Sequence, residues 1–181
     1  MAQRYTEITD KLAEFIQQQK IFFVGTAAQD GAVNVSPKGM DTLRVLDKNR
    51  LVWLNLTGSG NETAAHLREC DRITIMFCAF AGNPTILRIY GHAKVLHPRD
   101  KKWNRLISLF PSIPGARQII DVRVVMAQTS CGMGVPGFDF IGERDQLDQW
   151  ARKRGPQGIR QYWEEKNQLS LDGKPTGIIK E

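Results

Sequence analysis

The chain reads as a mainly β protein with flanking helices, an α+β fold whose strands form an antiparallel barrel. Three observations lead there. Six or seven strand-like segments succeed one another in hairpin order, and only a few helical patterns interrupt them. Apolar residues such as Leu87, Ile89 and Val95 fall on alternate positions, as the inner wall of a closed sheet requires. The regular strand-helix alternation of a doubly wound parallel sheet is missing.

Tyr5 to Lys20 carries Ile8, Leu12, Phe15 and Ile16 at helical spacing, so an amphipathic helix opens the chain and packs on the sheet. Ile21 to Ala27 is a strand, Gln29-Asp-Gly31 a tight turn, and Val33 to Ser36 its hairpin partner. Thr42 to Leu46 and Leu51 to Leu56 form a second hairpin about Asp47-Lys-Asn-Arg50. A helix follows over Glu62 to Glu69, then a strand over Arg72 to Cys78. Thr85 to His97 is long enough to bend, and Gly91 marks the bend. Lys101 to Phe110 reads as a helix and Gln118 to Thr129 as a long strand. Arg144 to Asn167 reads as one or two helices broken near Gly155-Pro156. The whole, 1–181, is expected to be a single domain with a helical C-terminal extension over about 143–181.

Composition narrows the function classes. A formal charge of +6 and a pI of about 9.4 permit an anionic ligand. The basic clusters Arg99-Asp-Lys-Lys102 and Arg152-Lys-Arg154 lack interleaved aromatics, so a nucleic-acid partner is not indicated. Cys70, Cys78 and Cys131 show no metal-ligand spacing, and the N-terminus has no signal-peptide core, which points to a cytoplasmic protein with reduced thiols. No apolar run reaches the roughly 20 residues of a membrane span. The histidines are too scattered for a metal site, and no carboxylate pair has catalytic spacing. Catalytic residues are therefore not assigned.

The strongest local signal is the junction after Leu51-Val-Trp-Leu-Asn-Leu56. There a small-residue loop, Gly-Ser-Gly-Asn-Glu-Thr63, runs into a helix. Backbone N–H groups at a helix N-terminus, with the positive end of its dipole, stabilise an anion. Upstream, Ser36-Pro37-Lys38-Gly39 adds a hydroxyl, a turn and a cation, and together the two motifs suggest a phosphorylated cofactor. The same loop also fits a capping box, with Ser59 and Glu62 satisfying backbone donors for structural reasons alone.

In this order and spacing, Asn34-Val-Ser-Pro-Lys-Gly39, Trp53-Leu-Asn-Leu, the Gly-Ser-Gly-Asn-Glu-Thr63 loop and Leu87-Arg-Ile-Tyr-Gly-His-Ala93 resemble the pyridoxamine 5′-phosphate oxidase-like flavoproteins. That family shares an FMN-binding split barrel. The C-terminal third, including Ser130-Cys-Gly-Met-Gly-Val-Pro136, Lys166-Asn167 and Ser170-Leu-Asp-Gly-Lys-Pro175, resembles an uncharacterised branch of it. The oxidase's C-terminal Arg-x-His segment has no match.

The resemblance implies a homodimer with FMN at the interface. Lys38 would neutralise the phosphate, with Ser36, Ser59, Asn61 and Thr63 hydrogen-bonding it. Trp53, Leu54 and Asn55 match the strand beside the flavin, although barrel packing explains Trp53 equally well. Arg88 would meet the phosphate, a dimer partner or solvent. The implied activity is an FMN-dependent oxidoreductase acting on an unidentified small substrate, with a reduced nicotinamide as donor. The alternative is a non-catalytic flavin or haem module, for which the sequence offers no obvious axial ligand. Cys131, flanked by Gly132 and Gly134, reads as part of a turn.

Overall fold

A computed structural model describes residues 2–179. The chain order is β1 (Gln3–Tyr5), α1 (Asp10–Gln18), β2 (Phe22–Thr26), β3 (Asn34–Lys38), β4 (Leu43–Asp47), β5 (Arg50–Leu56), α2 (Glu62–Glu69), β6 (Arg72–Cys78), β7 (Thr85–Leu96), α3 (Trp103–Ile107), β8 (Ala116–Cys131) and α4 (Gln146–Lys166). All pairings are antiparallel, in the order β3-β2-β6-β7-β8-β5-β4, with β1 joined to β8. The two edge strands, β3 and β4, are consecutive in the chain. The sheet is therefore open between them, as in a split barrel.

Two apolar clusters hold this sheet. Inside, Phe22, Val24, Leu51, Trp53, Ile75, Phe77, Leu87 and Ile89 pack together, with Leu12 and Ile16 of α1 against them. Outside, Val52, Leu54 and Ile119 pack on Trp103, Leu106 and Phe110 around α3. The period of two thus divides β5: Trp53 faces in and Leu54 faces out. No described helix is long and apolar enough to cross a membrane.

Several expected boundaries move. The first helix begins only at Asp10, because Thr9 caps it through Oγ1, 3.4 Å from the Leu12 N–H. Residues 3–5, placed in part within that helix, instead pair with β8 as the short strand β1. Pro37 is not in a turn. It sits in β3 opposite Phe23, on an edge strand where a missing N–H costs no ladder bond. The reversal comes two residues after Lys38, at Met40 and Asp41, both at positive φ (63° and 53°). Cys131 ends β8, paired with Thr85, so the turn begins only after it. The Gly155 break in α4 is present, at φ 65° and ψ 174°.

Gly91 lies at a register shift between β7 and β8, where a Cβ would stand 2.4 Å from the Arg123 carbonyl oxygen. The Arg123 backbone on the neighbouring strand cannot yield cheaply. Gly91→Ala is expected to destabilise the fold by at least about 2 kcal/mol, read as a lower urea midpoint at unchanged slope. A midpoint equal to the wild type's would show that the bulge accommodates a methyl group.

Candidate anion-binding cleft

Along β3 the side chains alternate between two surroundings. Asn34, Ser36 and Lys38 line a cleft of about 220 Å³, whose other walls are Asn55 and Leu56 at the end of β5, the Gly58-Ser59-Gly60 loop, Asn61, Glu62 and Thr63 at the start of α2, and Arg117. Val33 and Val35 point away and are 72% and 67% exposed. Six candidates chosen from sequence, Ser36, Lys38, Asn55, Ser59, Asn61 and Thr63, therefore converge on one cleft.

The loop does not form the capping box. Asn61 occupies the N-cap with no side-chain cap bond, and the Glu62 carboxylate accepts from the Leu171 N–H at 3.1 Å. Both amide atoms of Asn61, a residue only 2% exposed, lack a partner among the described residues. Among the described residues the Glu62 and Thr63 N–H groups that open α2 likewise have no acceptor, whereas the Ala64 N–H donates to Asn61 O at 3.1 Å. Thr63 Oγ1 accepts from Asn34 Nδ2 at 3.2 Å, and the same Nδ2 reaches Thr26 Oγ1, which contacts His66 Nδ1 at 3.1 Å. That buried chain fixes the back wall.

The electrostatics are unbalanced. Lys38 Nζ lies 5.1 Å from the Trp53 ring centroid, and burial, aided by the neighbouring Arg117 charge, pushes its ammonium down to about 8. Arg117 is 2% exposed, and burial pushes its guanidinium down to about 10. Its Nη1 donates to Gly60 O at 3.1 Å and Asn167 Oδ1 at 2.7 Å, while Nε is buried without a partner among the described residues. Neither cation forms an ion pair among the described residues. Buried charges ordinarily pair with an opposite one.

Sequence reading did not find Arg117. It is the second residue of β8 and lies just outside the strand read from sequence, Gln118 to Thr129; the pairing of β8 with β5 at Asn55–Gln118 is what carries it to the cleft. The remaining candidates lie elsewhere. Trp53 is 1% exposed, packs edge-on against Phe22 at 6.1 Å, and serves as the floor beneath Lys38. Leu54 is fully buried in the outer cluster, and its N–H already donates to Thr42 O. Arg88, on β7, donates to Ser130 Oγ at 3.1 Å and does not line the cleft.

An open antiparallel sheet with flanking helices is the architecture of the split-barrel proteins. The chain belongs to the pyridoxamine 5′-phosphate oxidase family, whose model matches residues 8–131. It is 33% identical over 189 residues to the pyridoxamine 5′-phosphate oxidase family protein ustO of Aspergillus flavus, covering 94% of this chain and 76% of that protein. A HupZ variant from Group A Streptococcus shares the fold at 17% identity and a TM-score of 0.55, covering 68% of this chain and 99% of that one. A candidate pyridoxamine 5′-phosphate oxidase from Lactobacillus delbrueckii does so at 17% identity and 0.54, covering 68% and 94%.

Proposed function

We propose that this chain is an FMN-binding flavoprotein that holds the cofactor's phosphate in the cleft and acts as an FMN-dependent oxidoreductase on a small substrate. The carrying observation is the pair of uncompensated cations, Lys38 and Arg117, beside the orphaned amide of Asn61. A phosphate dianion supplies the missing charge and acceptor oxygens at once. Lys38 and Arg117 neutralise it, Ser36, Ser59 and the Asn61 amide donate to it, and the α2 N-terminus favours it by its dipole. Bound FMN would supply hydride and electron transfer, which this chain's own side chains cannot perform.

The volume sets a limit on what one chain encloses. About 220 Å³ is below the roughly 300–1,000 Å³ typical of whole-ligand pockets. The cleft suits a phosphate and the start of its ribityl chain, so the ring needs cover from elsewhere. A second copy of the chain is the proposed cover, supported by the exposed Val35 on the outer face of the same edge strand and the exposed Val33 just before it. Arg88, outside the cleft of its own chain, would then serve that interface.

Purified protein titrated with FMN tests the reading. A visible flavin spectrum, micromolar or tighter affinity and a dimeric mass in light scattering are expected, followed by FMN-dependent oxidation of a reduced nicotinamide. Cys131→Ala is expected to leave the affinity unchanged. A protein indifferent to FMN would end the cofactor assignment, whereas binding without turnover of any donor would leave a flavin-storing or flavin-sensing module.

A further inference from the structure

The end of α4 and the segment that follows it are tied to the cleft and its surroundings at many points. Trp163 Nε1 donates to Thr57 Oγ1 at 2.8 Å, just before the Gly58-Ser59-Gly60 loop. The Leu171 N–H donates to Glu62, and the Asp172 carboxylate accepts from the Ala32 N–H at 2.9 Å. Lys174 bridges Asp30 and Glu69. At the centre stands Asn167, 0% exposed. Its Oδ1 accepts from Arg117, its Nδ2 donates to Gly58 O at 3.0 Å, and its main-chain oxygen accepts from Thr176 Oγ1 at 2.6 Å.

We propose that Asn167 is a positioning residue for the anion cleft: its neutral amide aims the Arg117 guanidinium and fixes the Gly58 carbonyl while leaving the arginine's charge for the ligand. The inference rests on the phosphate-binding reading above and names what sets its selectivity. The usual partner of a buried arginine is a carboxylate, which pairs bidentately and cancels the charge. An amide of the same shape accepts the hydrogen bond and cancels nothing. The amide's other end has a second task that a carboxylate cannot perform, donation to Gly58 O. Asn167 therefore couples the loop to the cation through one rigid side chain.

The arrangement predicts a distinction between FMN and riboflavin, which differ only in the phosphate. Full-length wild type, Asn167→Asp, Asn167→Ala and Lys38→Ala are titrated with both flavins by fluorescence at fixed salt, with a thermal melt of each protein. Asn167→Asp is expected to lower FMN affinity at least tenfold while riboflavin changes less than threefold, so the preference for FMN falls by a similar factor. General loosening of the pocket would weaken both flavins together and leave the ratio unchanged. Should the aspartate variant not fold, Asn167→Ala reads the same ratio, expected to drop at least threefold as Arg117 loses its guide. A wild-type ratio in the variant that folds overturns the positioning role. Lys38→Ala separates the two claims: its losing the preference while Asn167→Asp keeps it would overturn only the role of Asn167. A wild type with no preference for FMN would bring down the phosphate reading and this inference together.

Discussion

Lys38→Met and Arg117→Met are each expected to weaken FMN binding by about 10- to 150-fold, the equivalent of one charge-assisted hydrogen bond worth roughly 1.5–3 kcal/mol. Together they should remove micromolar binding altogether. The two substitutions should part company in stability. Lys38 makes no ion pair among the described residues and lies over the buried Trp53 ring. Methionine there keeps the stem's packing and removes a charge that burial opposes, so the ligand-free protein should be as stable or more so. Arg117→Met strips the donor from Gly60 O and Asn167 Oδ1, so its ligand-free form should melt lower. Calorimetric titration with FMN and thermal unfolding of the same samples check both halves. Wild-type affinity in both variants would show that the cations serve something other than a phosphate.

FMN affinity should peak between about pH 6 and pH 8 and fall on either side. In the free protein the Lys38 ammonium loses its proton near 8 instead of the ordinary 10.5, because burial and then Arg117 disfavour the charge. A bound dianion favours the charge and raises that value, so above pH 8 the complex holds more protons than the free protein. Affinity then declines with rising pH, by at most about tenfold per unit. Below about pH 6 the phosphate takes up its second proton and loses charge.

The ligand-free fold should show the opposite trend on the alkaline side. Between 8 and 10.5 the unfolded lysine binds the proton that the folded one has lost, so the Lys38 contribution to stability rises with pH across that window. FMN affinity and ligand-free unfolding, both measured from pH 5 to pH 10 with Lys38→Met as reference, check the two trends. An affinity that stays level to pH 9.5 in the wild type would place the titrating lysine outside the site.

Much of the cleft was legible because its parts are local. Ser36 and Lys38 share one strand face by the period of two, and Ser59, Asn61 and Thr63 sit on a loop entering a helix, so sequence spacing alone implies proximity within each motif. Their ordering also carries the family resemblance, which the match over residues 8–131 bears out. Local reasoning failed where competing rules were equal. Ser59 and Glu62 fit a capping box, yet Glu62 binds the distant Leu171 N–H instead. Pro37 fits a turn, yet an edge strand tolerates it.

The sequence by itself determined the mainly β architecture, the hairpins, the Gly155 break and the grouping of hydroxyls and amide about Lys38, because each follows from backbone preference or side-chain period over a few residues. Tertiary structure decided which charges meet. Arg117 and Asn167 lie 50 positions apart, and only the register of β8 against β5 and the docking of the C-terminal segment bring them together beside the cleft that Arg117 lines. Burial then gives those residues their chemical character: an arginine in water is an ordinary cation, whereas one enclosed without a carboxylate calls for an anion from outside.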